Sequence, residues 1–280
     1  MTALPPEAFF LVSAVFHYLG PSFAVLLFAR VDVLGVAWLR IASAAVIFGI
    51  WRRPWRTIRR IDSSGRRVVF AWGAVLAIMN CCFYLAIARL PLGTVAAIEF
   101  LPVIVLAAVG SRTGRNMTAL ALAVIGVFLL TNVVLRGEPL GVVFAFANAV
   151  LFAAYITLGH RVAQGGSTAG IDALAAAMLV AAVVVTPIAG LAALPAFGNP
   201  AAVLAGIGVG VSSSVIPYVT DQLAMARIKR STYALMVALL PATATVIGVI
   251  VLAQIPSPAE IIGVSLVIVA VGVHRDSEAT

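Results

Sequence analysis

The sequence predicts an all-α polytopic membrane protein, ten transmembrane helices arranged as two inverted five-helix repeats over residues 1–136 and 137–280. Three observations predict it. The 280 residues are 63% hydrophobic and 10% charged, with a mean hydropathy of +1.14, which is more apolar surface than one water-soluble core can hide. The apolar residues fall into ten runs of about 17 to 25 residues between polar, Gly or Pro breaks. A short pattern joining the third run to the fourth returns between the eighth and the ninth.

The first run, near 7–28, follows MTALPPE, which has no basic residue; its length and flank read as a span and not a cleaved signal. The next four lie near 33–51, 68–88, 91–110 and 117–135. The second set lies near 139–160, 171–192, 201–224, 231–252 and 258–274. Short connections leave no room for an extramembrane catalytic domain. Cys81 and Cys82 are adjacent within the third run, where an ordinary structural disulfide between them is geometrically implausible, so they read as small apolar filler.

The net charge of +8 follows from topology. One side of the predicted bundle carries Arg52, Arg53, Arg56, Arg59, Arg60, Arg66, Arg67, Arg112, Arg115, Arg161, Arg227, Lys229, Arg230 and Arg275. The other carries Arg30, Arg89 and Arg136, while Arg40 falls inside the second run. The positive-inside bias therefore places both termini in the cytoplasm, as an even number of crossings also requires. With a single lysine and no basic face interleaved with aromatics, the chain is not expected to bind nucleic acid; its arginine-rich loop faces the lipid bilayer surface.

The recurring pattern is L-A-x-A-R, at Leu85–Arg89 and Leu223–Arg227, each followed by a threonine (Thr94, Thr232) and a Leu-Pro pair ending at Pro102 or Pro241. Because five is odd, the second set crosses in the opposite sense to the first, which is an inverted-topology repeat. Such halves exchange roles and open a central site to either face. Pro102 and Pro241, at matching places, are the candidate hinges for that exchange, a fixed kink being the alternative. The GIGVGV stretch, Gly206–Val211, has no Lys-Ser or Lys-Thr after it and reads as a close-packing surface.

Ten runs with basic cytoplasmic ends, the LAxAR junction before a proline-bearing fourth span in each half, Arg40 within span two, and Gly126, Gly263 and Gly272 in the last spans together resemble the EamA-type permeases of the drug/metabolite transporter superfamily. The resemblance covers nearly the whole chain and is nearest to the bacterial exporters of aromatic and other amino acids. It implies a secondary permease of the bacterial inner membrane, working without a cofactor and as a monomer, that exports amino acids by alternating access. Aromatic and other bulky neutral amino acids are the expected cargo, with drug-like or other small amphiphilic metabolites as the alternative and a channel or an intramembrane enzyme as remoter ones. In one respect the chain departs from the pattern: relatives often carry a glutamate just after the fourth and ninth spans, where this sequence reads GSRTGRN and LAQIPSP.

Residue depth locates the chemistry. A charge at mid-helix costs about 2.5 to 3.5 kcal/mol on insertion scales, so each one retained needs a partner, water or a role. Arg40 and Glu99 both lie in spans that start outside, about 10 to 12 Å deep at roughly 1.5 Å per residue, and are candidate ion-pair partners. They offer a cation to a carboxylate and an anion to an ammonium, which suits a zwitterion. His17, Asn80, Asn148 and Ser213, with its neighbours Ser212 and Ser214, gather at comparable depth. Aromatic residues Tyr18, Trp38, Tyr84, Tyr155 and Tyr218 are candidates to wall a pocket for the cargo's side chain. His17 and Glu99 are the titrating candidates if transport is coupled to protons; facilitated efflux is the other possibility.

Enzyme chemistry has little support. The chain has no HExxH and no Gly-x-Ser-Gly, and of its three histidines His160 and His274 lie at span ends, so no metal site is expected. Asp221, close to Arg227, Lys229 and Arg230, is expected in an interfacial salt bridge.

Overall fold

The computed structural model describes residues 6–110, 113–134, 138–162, 167–225 and 240–273. Every regular element among them is helical: α1 Pro6–Leu27, α2 Val33–Arg52, α3 Pro54–Arg60, α4 Ser63–Ile87, α5 Leu92–Gly110, α6 Gly114–Val134, α7 Pro139–Val162, α8 Ser167–Ala193, α9 Pro200–Gly210, α10 Ile216–Met225, α11 Leu240–Leu252 and α12 Pro258–Val273. A 3₁₀ turn, Leu194–Gly198, follows α8, and a π-helical turn, Val211–Val215, joins α9 to α10.

Six of these segments are long and apolar enough to cross a membrane: Ala8–Leu27, Val33–Arg52, Ser63–Ile87, Pro139–Gly159, Ala169–Gly198 and Pro200–Asp221. Shorter apolar helices occupy Leu92–Pro102, Gly114–Leu130, Leu240–Leu252 and Pro258–Val273. The chain is a multi-pass membrane protein. Long side chains such as Val46, Ile50, Phe128, Val183 and Leu191 face outward; a bundle with lipid for solvent can expose them without penalty.

Capping explains the boundaries. Asp32 Oδ1 accepts from Leu34 N at 2.8 Å and starts α2, and Asp62 Oδ1 accepts from Gly65 N at 2.9 Å and starts α4. Proline sits at the start of α3, α7, α9 and α12, where its missing N–H costs no helical bond. Three expectations change. The arginine-rich stretch after α2 is not all loop: Arg53 turns into the left-handed region (φ 52°) and Pro54 opens the short helix α3. The third span begins at Ser63 and not near 68, because Asp62 caps it. The eighth run is also interrupted at Val211–Val215, just before Pro217.

The bundle packs through small residues. α4 lies on α7 and α8, α2 on α8 and α9, α1 on α9, α10 and α11, α5 on α7 and α11, and α6 on α12. Where these helices touch, glycine permits the approach: a Cβ on Gly73 would stand 2.5 Å from Ala177 O, and one on Gly210 would stand 2.8 Å from Arg40 O. Gly126 and Gly263 face each other reciprocally, each hypothetical Cβ meeting the other's carbonyl at 2.7 and 2.9 Å. Without a hydrophobic drive between helices in lipid, this close van der Waals contact is what holds neighbours together.

Candidate functional site

Arg40 occupies the middle of α2 and is 4% exposed. Its surroundings begin with a proline. Pro217 has no N–H, so the Ser213 carbonyl four residues back loses its helical donor, and the backbone there relaxes into the π turn. Arg40 Nη2 donates to that carbonyl at 2.9 Å, Nε donates to Ser214 Oγ at 2.9 Å, and Nη2 reaches Tyr218 Oη at 3.4 Å. The guanidinium carbon lies 5.4 Å from the Tyr84 ring centroid, within cation–π range. A buried cation is thus satisfied by neutral dipoles and an aromatic face.

Glu99, on α5 and also 4% exposed, accepts from Asn148 Nδ2 of α7 at 3.0 Å. No ion pair joins it to Arg40, although the two sense each other's field; the ion pair present among the described residues is Arg52–Asp172, at 2.6 Å. The expected pairing is therefore corrected. Each charge has its own neutral partners: those of Arg40 come from the π turn and α10, and that of Glu99 comes from α7.

Aromatic rings run between them. His17 meets Tyr18 edge-on at 5.4 Å and Tyr218 at 6.3 Å; Tyr218 meets Tyr155 at 6.1 Å, and Tyr155 meets Trp72 at 5.5 Å and stacks on Phe152 at 6.4 Å. Tyr84 is fully buried against Phe28 and Phe83. Asn80 donates back to Leu76 O at 2.7 Å and lies beside Tyr218.

Among the described residues, five side-chain atoms are buried without a hydrogen-bond partner: Tyr18 Oη, Trp72 Nε1, Tyr84 Oη, Asn148 Oδ1 and Ser213 Oγ. Tyr84 Oη lies beside both Ser213 Oγ and the Arg40 guanidinium, short of full hydrogen-bonding geometry with either. Buried polar groups are ordinarily paired, so such a concentration marks a place where something polar belongs. Among the described residues no cluster of His, Cys, Asp or Glu could hold a metal.

Ten of the eleven sequence candidates fall in this centre. Trp38 does not: its Nε1 donates to Thr186 Oγ1 at 2.9 Å and its ring meets Phe197 at 6.0 Å, on the α8 side. Pro102 lies inside α5, three residues beyond Glu99, and Pro241 is the second residue of α11. Asp221 sits beside Ser13 of α1, and its expected partners Arg227, Lys229 and Arg230, like Thr232 and Arg136, lie outside the described residues. Sequence reasoning missed Trp72 and Phe152. A signal existed for the first, since Trp72, Leu76, Asn80 and Tyr84 recur every four residues along one face of α4.

Helices packed through small residues around a buried polar centre make this a multi-pass membrane bundle, and the chain belongs to the EamA-like transporter family, whose model matches residues 139–274. It is 30% identical over 254 residues to the threonine/homoserine exporter RhtA of Escherichia coli strain K12, an alignment covering 90% of this chain and 84% of that one. The exporter of the same name from Salmonella typhimurium strain SL1344 is also 30% identical over the same shares. A crystal structure of a protein 19% identical superposes with a TM-score of 0.61 over 95% of this chain and 97% of its own, a likeness of fold.

Proposed function

We propose that this chain is a secondary transporter that exports amino acids from the cytoplasm across the bacterial inner membrane. Two five-helix halves, 1–136 and 137–280, alternate access to the site between Arg40 and Glu99. The observation that carries the reading is the separated pair of buried charges with unpartnered polar atoms around them, which provides a cationic and an anionic seat for a zwitterion. The 30% identity along nearly the whole chain to threonine/homoserine exporters supports amino acids as the class and export as the direction. Their named cargo puts small hydroxylated amino acids first. The aromatic and bulky neutral amino acids expected from sequence draw support from the rings around His17, Tyr155 and Tyr218, but not from those names.

The packing supports two equivalent halves. Shifting residue numbers by 137 carries Gly73 onto Gly210, Arg40 onto Ala177 and Gly126 onto Gly263. The Gly73–Ala177 contact thereby becomes the Gly210–Arg40 contact with its partners exchanged, and Gly126–Gly263 maps on itself. Helix pairs follow suit: α4 on α7 matches α9 and α10 on α1, and α4 on α8 matches α9 on α2. Ten crossings in two opposed sets, with both termini cytoplasmic, account for this exchange.

The test is reconstitution into liposomes with radiolabelled threonine, homoserine, phenylalanine and a cationic dye, with and without a pH gradient. Saturable flux and counterflow of threonine or homoserine are expected, and Glu99→Gln should reduce them at least about tenfold with folded yield unchanged. Stimulation by the gradient would assign proton coupling. No saturable flux of any amino acid would overturn the proposal, and dye flux in its place would favour amphiphiles.

A further inference from the structure

Three of the five unpartnered atoms, with the two buried charges, divide between two places. Where α2, α4 and the π turn meet stand groups able to donate: the Arg40 guanidinium, a donor only, with Nε and Nη2 engaged, and the hydroxyls of Tyr84 and Ser213, which can donate or accept and are buried outside hydrogen-bonding geometry. Ser213 Oγ has its space because α1 passes it with Gly20, where a Cβ would stand 2.2 Å away. Where α5 and α7 meet, the groups are acceptors. Asn148 uses Nδ2 on Glu99 Oε1 and so must present Oδ1, which has no partner. Glu99 is a carboxylate, and its Oε1 alone takes that bond.

We infer that the site binds an amino acid in one fixed orientation: carboxylate toward Arg40, Tyr84 and Ser213, and ammonium toward Glu99 Oε2 and Asn148 Oδ1. The inference rests on the proposed amino-acid transport and adds to it the direction in which the cargo lies. The chemistry is complementary in sign. A carboxylate only accepts and an ammonium only donates, so reversing the cargo would set the ammonium against the donor-only Arg40 guanidinium and the carboxylate against Glu99 and Asn148 Oδ1, a mismatch that costs the desolvation of each group left unpaired. Tyr84 and Ser213 are thus positioned to recognise the carboxylate, and Asn148 the ammonium; they select α-amino acids over plain amines and plain hydroxy acids.

The experiment measures threonine flux into liposomes and its inhibition by two analogues: the amine left when threonine loses its carboxylate, and the hydroxy acid in which a hydroxyl replaces its ammonium. Tyr84→Phe keeps the ring packed on Phe28 and Phe83. It should raise KM for threonine about tenfold, the effect of one hydrogen bond to a charged group, and weaken the hydroxy acid equally, with the amine's inhibition constant unmoved. Ser213→Ala should give the same pattern, and serves if Tyr84→Phe lowers folded yield on size-exclusion chromatography. Glu99→Gln should weaken threonine and the amine and spare the hydroxy acid. Variants that weaken all three compounds alike, or in the opposite pairing, overturn the orientation while leaving amino-acid transport intact. Wild-type protein that moves no amino acid overturns both.

Discussion

At the scale of single residues, Arg40 shows how a mid-membrane cation is held without a carboxylate. Its planar fork engages Ser214 Oγ, Ser213 O and Tyr218 Oη together while its face lies toward Tyr84. A lysine ammonium is a compact charge and cannot span those acceptors. Arg40→Lys is expected to lower the melting temperature in detergent by several degrees and to cut threonine flux; an unchanged melting temperature would show that the fork does not hold the π turn. Arg52 offers the contrast. Its bridge to Asp172 has side chains 22% and 33% exposed, and bridges of that kind contribute at most about 1 kcal/mol, so Arg52→Ala should barely move the same transition.

At the scale of elements, the informative feature is the break in the helix from Pro200 to Met225. Pro217 withholds the donor that Ser213 O would otherwise meet, and the π turn presents that carbonyl to Arg40. Pro217→Ala restores a competing N–H. The expected result is a more regular α9–α10 run, unchanged or raised thermal stability and reduced flux; normal flux would remove the break from the transport cycle. A second device ties α5 to the turn between α11 and α12. Gln254 Oε1 accepts from Leu92 N at 3.0 Å, capping α5, and Glu260 Oε2 accepts from Ser257 N at 2.8 Å. Gln254 occupies the LAQIPSP stretch where relatives often carry a glutamate, and the structure assigns it this capping bond. Gln254→Leu should speed hydrogen exchange in the first turn of α5, with the middle of α4 as the unaffected reference; equal protection in both proteins would count against the cap.

At the scale of the whole molecule, the two halves proposed above predict that equivalent substitutions do equivalent damage. Gly73→Val and Gly210→Val each drive a side chain into a neighbouring backbone carbonyl, an overpacking that costs about 1 to 3 kcal/mol. Both are expected to lower the melting temperature by similar amounts, and a large disparity would argue against two matched halves. Orientation is checked with an impermeant thiol reagent on a cysteine placed at position 136 in a background lacking Cys81 and Cys82. Labelling from outside intact cells is expected, and labelling only after the cytoplasm is opened would reverse the proposed topology.

Much of this was legible in the chain itself. Hydropathy alone established a helical multi-pass protein, because a bilayer demands long apolar runs with every backbone group bonded internally. Charge rarity alone singled out Arg40 and Glu99, because mid-membrane charges are too costly to keep without partners. Spacing along one strand of sequence could not say which helices touch, and so it could offer those two charges only as candidate partners, set Trp38 beside rings it does not meet and passed over Trp72. Those matters were decided by tertiary packing: partners in a helical bundle come from elements far apart in the chain, and only the close approach at residues such as Gly73 and Gly210 determines which donor faces which acceptor.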